Sequence, residues 1–470
     1  MCSAATSRQS KALQNEAEAG RLTVESEREQ PTKAGRVERV VLHPIAGPPR
    51  LANRVERSIA PYCDLSSLVG PFAQPIARVS GATHLIEEAE QGLPTGAATP
   101  EAVAIRLRRD GAELSWGAPV VISDANSLVE FSRSRGASSV ELMRADPSLL
   151  SEMQLGAFFQ AYWRRRVLRR TACRLGLPRS GRWAPGTLLR FALDTAFWIG
   201  VRSVATPQEW ARLARSSYVV LYYHRIAGEQ RAGFEHLDIR PRKFDRQLRL
   251  LQLLGFRPLS PSELLAFHSN PSATLPNRRY VIAADDGYRD AVAVFHRYGH
   301  LHPQVFVCTS AVGGSAWWTD NEPLATWEEL RELQAAGAVV GSHARGHPRL
   351  AYLAADELHD ELAGSLQDLD TRLPGSAPLL AYPHGLYDEN VRSVAAAVGY
   401  RAAFTTEAGR NGAGTDVYCL RRVGIKDWDG PVALLWKAVT GEYLPWLWER
   451  WRQRFRAARA SRRSSDGPEG

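Results

Sequence analysis

The stretch "RRYVIAADDGYRD", residues 278–290, decides the fold. "RRYVI" has the aromatic and β-branched content of a strand, and the chain ends it on two adjacent carboxylates, Asp285 and Asp286, followed at once by Gly287. Neighbouring acids at the rim of a core repel one another and resist desolvation. The pair therefore calls for a cation, a hydrogen-bond cage or open solvent. A DDG triplet alone marks a turn, so its surroundings decide between these readings.

From about residue 216 onward, β-type runs alternate with helical ones: "SYVVLYYH", then "RKFDRQLRLLQLLG", "RRYVIAADDG", "YRDAVAVFHRYG", "PQVFVCTS", "WEELRELQAAG", "AVVGSH", "AADELHDELAGSLQDLDTRL", "LLAYPHG", "ENVRSVAAAVG" and "YRAAFTT". Repeated βα units imply parallel strands wrapped by helices, as an open sheet or a barrel. Both architectures gather chemistry at the carboxyl ends of their strands. Those ends hold His224, the pair Asp285 and Asp286, His343 with His347, and His384. One helical turn would set His343 and His347, four apart, on the same side, although Gly346 and Pro348 oppose a regular helix. With Asp286 they make a two-histidine, one-carboxylate set with open positions, the pattern of a catalytic metal site.

"AADDG" at 283–287, "SHARGH" at 342–347 and "AYPHGLYD" at 381–388 stand in the order of three motifs of the polysaccharide deacetylase family, also called the NodB homology domain or carbohydrate esterase family four. The region of about 216–425 resembles that family, and "YYHRI", "GYRAAFTTEAG" and "LRRVGI" are similar to one of its branches. The resemblance implies an α/β fold, a distorted (β/α) barrel with its groove at the strand carboxyl ends. It implies Asp286, His343 and His347 as metal ligands, zinc being the expected divalent ion. Asp285 would be the general base that takes a proton from activated water attacking the acetyl group of an N-acetylated sugar, and the His384 backbone N–H would steady the oxyanion. The family's Leu-x-His motif, which supplies the general acid, has no counterpart in "CLRRVGI", which leaves His224 first and His384 second as candidates. Ala283 and Ala284 replace the usual hydroxyl and aromatic residues, and Ala381 stands where many members carry an arginine that pairs with the base. Two alternatives stay open: a glycan-binding protein with a degenerate barrel, and a sugar O-acetyl esterase. Trp317, Trp318, Trp327 and Trp428 are candidates for stacking on sugar rings.

The remainder of the 470 residues bounds the protein rather than defining it. Residues 1–36 are polar and charged, as in a disordered tail. Residues 37–165 mix strand-like pieces ("AVAIRLRR", "APVVISD", "SSVELM") with helical ones and read as a small α/β domain of unknown role. Residues 166–215 read as a basic helical connector, 216–430 as the deacetylase-like domain, and 431–470 as a basic amphipathic helix with a disordered tail. The net charge of +9 resides in arginine, with lysine only at Lys11, Lys33, Lys243, Lys426 and Lys437. No zinc knuckle or RNA-binding motif accompanies it, so nucleic acid is not an expected partner. The five scattered cysteines have no CxxC spacing and the first residues have no apolar run, which together suggest a reduced, cytoplasmic protein. "PWLWERWRQRFRAARASRR" places Leu447, Trp448, Trp451, Phe455 and Ala458 on one helical face among arginines. This suggests peripheral contact with the inner face of an anionic membrane.

Overall fold

The computed structural model describes residues 39–46, 76–81, 103, 105, 106, 110, 113–116, 120–121, 125–176, 186–231, 234, 236–319 and 321–445. The chain divides into two compact units, residues 1–213 and 214–470. The N-terminal tail at 1–36 and the basic segment from 446 to 470 lie outside the described residues.

In the first unit a central strand β1 (Arg39–Ala46) pairs antiparallel with β2 (Ile76–Gly81) and parallel with β3 (Glu113–Trp116) and β4 (Val120–Val121). Four helices follow: α1 (Ala125–Ala145), α2 (Trp163–Leu175), α3 (Gly186–Val204) and α4 (Pro207–Ala214). "SSVELM", read as a strand, is the second half of α1, because Leu128, Ser132, Val140 and Met143 form one buried stripe at helical spacing. Val103, Ile105 and Arg106, also read as strand, are helical. The segment 166–215, read as a basic helical connector, is helical in α2, α3 and α4, and up to Leu213 it falls within this unit. α1 and α3 touch backbone to backbone: a Cβ on Gly136 would stand 2.0 Å from the Phe197 carbonyl oxygen, and one on Gly200 1.9 Å from that of Arg133. Arg169 of α2 is 2% exposed, donates to both oxygens of Asp194 at 2.6 Å, and lies over the rings of Phe158 and Trp198. The basic run thus contributes a buried, paired cation. Among the described residues, no helix is long and apolar enough to cross a membrane.

The second unit runs β5 (Ser217–Tyr223), β6 (Arg225–Ile226), β7 (Asp238–Ile239), α5 (Pro241–Leu253), β8 (Arg257–Pro258), α6 (Pro261–Ser269), β9 (Arg279–Ala284), α7 (Arg289–His296), β10 (Gln304–Val307), α8 (Trp327–Ala335), β11 (Val339–Ser342), α9 (Ala355–Arg372), β12 (Leu379–Ala381), α10 (Glu389–Val398), β13 (Ala402–Phe404), β14 (Asn411–Gly412), β15 (Val423–Gly424) and α11 (Pro431–Thr440). The sheet order is β13-β12-β11-β10-β9-β5-β14, with β8 beside β9 and β15 beside β5, and every pairing is parallel except that of β14. Strands buried on both faces explain the near-continuous apolar runs. On β5 and β9, Val219, Leu221, Tyr280 and Ile282 face a helix-covered layer with Phe244, Leu248 and Phe295. Val220, Tyr222, Val281 and Ala283 face an inner layer with Phe306, Ala381 and Phe404.

The segment 420–424 draws the sheet's edges together. Leu420 bridges Phe404 of β13, while Val423 and Gly424 pair with Leu221 and Tyr222 of β5. Of the open sheet and the barrel that the alternating pattern allowed, the result is the distorted (β/α) barrel that the resemblance implied. α11 belongs to it, with Leu434 and Ala438 in the outer core, so the body of this unit extends past the expected limit at residue 430.

Candidate active site

β9 ends where its neighbours can hold two acids apart. The Asp285 N–H donates to the Tyr223 carbonyl at 3.1 Å, carrying the register with β5 one residue beyond the strand. Both Asp285 oxygens accept from Arg422: Nη1 to Oδ1 at 2.6 Å and Nη2 to Oδ2 at 2.9 Å. Arg422 is fully buried. Its Nε donates to the Thr405 carbonyl at 2.8 Å, and its guanidinium lies over the Tyr222 ring. Burial, the largest single influence, would raise the Asp285 carboxyl, but the Arg422 charge and hydrogen bonds, together with His343 and His224, outweigh it and hold the group at about 2. Asp286 turns away through a left-handed backbone, φ 71°, and Gly287 follows at φ 77°. A side chain at Gly287 would meet Val307 Cγ1 at 2.8 Å, which explains the glycine of the DDG triplet.

Asp286 faces the two histidines. His343 follows β11; its N–H donates to the Val307 carbonyl at 2.8 Å, and its Nδ1 lies 2.7 Å from the Ala381 carbonyl. That contact leaves Nε2 directed at Asp286 Oδ1, 3.5 Å away. His347 Nε2 lies 3.4 Å from the same oxygen. The histidines share a side through a loop rather than the helical turn their spacing suggested. Ala344 and His347 are both left-handed, and Glu361 accepts from the N–H groups of Arg345 and Gly346, each at 2.9 Å. Trp318 stacks on the His347 ring, centroids 4.6 Å apart.

Asp286, His343 and His347 are all buried, and one ligand-competent atom from each lies within 4.8 Å of the others. Burial, then Asp285, push the Asp286 carboxyl up to about 7, while burial lowers both histidines, His347 to about 2. Two neutral imidazoles and a carboxylate strained by an adjacent charge fit a divalent cation. Of the seven non-glycine residues with positive φ among those described, Asp286, Ala344, His347 and His384 cluster here, the concentration of backbone strain expected of a functional site.

The two candidate acids differ in exposure and in neighbours. His224 follows β5 and packs against Tyr222; burial lowers it to about 3 against the pull of Asp285, with Lys426 and Arg422 adding to the fall. His384 is exposed, its ring edge-on to His347 at 4.5 Å, and burial followed by Arg349 lowers it more mildly. Of the four tryptophans, Trp318 joins the site and Trp317 is exposed beside it. Trp327 packs on the outer core and Trp428 against His236. Arg422 is the residue that sequence reasoning missed: it supplies the ion pair that Ala381 cannot, from the segment that leads into β15.

Residues 273–403 match the family profile described as polysaccharide deacetylase. The chain carries a polysaccharide deacetylase domain. It is 26% identical over 239 residues to "Putative polysaccharide deacetylase YxkH" of Bacillus subtilis (strain 168), covering 49% of this chain and 76% of that protein. Among solved structures it is similar to the Streptococcus pyogenes deacetylase PplD in complex with acetate, at 25% identity and a TM-score of 0.41 over 47% of this chain and 96% of that one. It is also similar to IcaB from Ammonifex degensii, at 23% identity and a TM-score of 0.41 over 48% and 97%.

Proposed function

We propose that the deacetylase domain removes acetyl groups from an N-acetylated saccharide, using a divalent cation, zinc by the character of its donors, held by Asp286, His343 and His347. The observation that carries this reading is the convergence of those three side chains beside a carboxylate that Arg422 locks in place. Bound there, such an ion would bring the pKa of a water towards neutrality and polarise the acetyl carbonyl. Arg422 occupies one lone pair on each Asp285 oxygen and keeps the group ionised, leaving its other lone pairs to accept the proton of the attacking water. His224, half-buried and held neutral by desolvation, has no proton to give as an imidazolium at neutral pH. His384, lowered as well but open to solvent and edge-on to His347, can draw a proton from bulk water and is assigned the donation to the departing amine.

The neighbouring aspartates should fail differently. Asp285→Asn keeps the metal but loses its acceptor, so acetate release should fall by roughly 10²-fold or more. Asp286→Asn should lower metal content, with partial recovery of activity in excess zinc. Acetate release and bound metal, measured on matched N-acetyl and O-acetyl sugars, decide the matter. Wild-type turnover in Asp285→Asn would remove the base, and turnover confined to the O-acetyl substrate would make the protein an esterase.

A further inference from the structure

A second cavity lies in the same unit, and none of the residues assigned above lines it. It encloses about 700 Å³ between the start of α5 and the turn that leads into α11. Its walls follow the carboxyl ends of β7 and β15, and they are basic: Arg240, Arg242, Lys243 and Arg246. The acids among them each face a cation. Asp427 Oδ1 stands 3.7 Å from Lys243 Nζ without a hydrogen bond, and Asp429 accepts from Lys437 Nζ and, at 2.7 Å, from the Lys426 N–H. Among the described residues the three arginines have no acidic partner. Arg240 donates to Gln230 Oε1 at 3.1 Å and Arg246 to the Arg242 carbonyl at 3.2 Å.

Two helices begin at this cavity, and neither N-terminus has a side-chain cap or an acid in its first turn: α5 starts after Arg240 and α11 after Gly430. Arginine and lysine in the first turn of α5 oppose the partial positive charge of a helix N-terminus, a conflict that a bound anion would relieve. Gln247 points independently to a ligand. It lines the cavity and is only 5% exposed; the Tyr223 hydroxyl donates to its Oε1 at 3.2 Å, while its Nε2 has no partner. Buried donors without acceptors are rare, and this one stands in a wall with four cations.

We propose that this cavity binds a phosphate group carried by the saccharide substrate, gripped by Arg242, Arg246 and Gln247 Nε2 at the start of α5. The connection to the substrate rests on the deacetylase reading; the binding of an oxyanion does not. The two sites flank the end of one strand. Tyr223, which engages Gln247, also accepts the Asp285 N–H; Asp285 follows β9 on one side of β5, and the wall from Asp427 to Pro431 follows β15 on the other.

The test uses the full chain, with inorganic phosphate, N-acetylglucosamine and N-acetylglucosamine 1-phosphate as calorimetric probes. Wild-type protein should bind phosphate saturably, more weakly as salt rises, and should bind the sugar phosphate at least tenfold more tightly than the sugar. Arg242→Gln/Arg246→Gln changes two exposed side chains, and Gln247→Leu changes the orphan donor. Each should abolish phosphate binding and the preference for the sugar phosphate, while His347→Ala should leave phosphate binding intact. Phosphate binding that survives in the double variant overturns the site. Binding lost instead in His347→Ala places the anion at the carboxylate and histidine cluster and overturns it equally. Phosphate binding lost in the double variant without any preference for the sugar phosphate overturns the assignment to substrate. Because the phosphate arm needs no turnover, its failure is distinct from a failure of deacetylation.

Discussion

Arg422 shows why a single side chain in the interior of a barrel can matter to both stability and chemistry. A fully buried guanidinium satisfies its donors on Asp285 and the Thr405 carbonyl, and removing it leaves an uncompensated buried carboxylate. Breaking such a pair costs about 3–5 kcal/mol, so Arg422→Met should be strongly destabilised at neutral pH in urea unfolding. The pH dependence has a definite sign. Asp285 is held at about 2 against an ordinary 3.8, so its contribution is fully present above the ordinary value and is lost as pH falls through about 2. Wild-type and Arg422→Met stabilities should therefore converge on acidification, and a constant gap from pH 7 down to pH 2 would show that the arginine acts by packing alone. The trio of Asp286, His343 and His347 was legible in the sequence, since Asp286 and His343 sit just beyond the ends of recognisable strands and His347 in the loop that follows. Arg422 was not, because the contact spans 137 residues and "LRRVGI" carries no local mark distinguishing its second arginine from its first.

At the level of elements, legibility followed burial. The strands of the second unit announced themselves because both faces are covered, giving runs such as "SYVVLYY" with every residue buried. "SSVELM" misled for a related reason: its β-type residues satisfy a strand pattern locally, whereas its register with Leu128 and Ser132 is visible only over the whole of α1. The histidine spacing suggested a turn of helix, yet Glu361, distant in sequence, ties the loop by accepting two of its N–H groups. What sequence did not announce at all is the crossing of α1 and α3. Alanine is intrinsically favoured over glycine in a helix by up to about 1 kcal/mol. At Gly136 and Gly200, however, the added methyl would fall within about 2 Å of a carbonyl oxygen on the facing helix. Gly136→Ala and Gly200→Ala should therefore each destabilise the first unit by about 1–3 kcal/mol, read as a lower melting temperature. A raised melting temperature in either variant would mean that the helices do not meet at these glycines.

On the scale of the whole molecule, the division at residues 213 and 214 separates the helical crossing from every residue assigned to chemistry. A ligand that binds only the folded state stabilises it by mass action, by about 2.7 kcal/mol at a hundred times its dissociation constant. Zinc at that excess should thus raise hydrogen-exchange protection in peptides from 216–445, most of all around β9 and β11, where Asp286 and His343 are anchored. Peptides from α1 and α3 contain none of the three ligands and should be unaffected, as should the whole chain when His347→Ala is given the same zinc. Gly200→Ala should produce the mirror image, with protection lost in α1 and α3 and zinc-dependent protection retained in the barrel. If zinc instead protected both units equally, the two would unfold as one cooperative body, and metal binding would be coupled to the helices of the first unit. If it protected neither, the pairing of Asp286 with His343 and His347 would have to be explained as a buried polar cluster without an ion, with the strain at its left-handed residues left unrelieved.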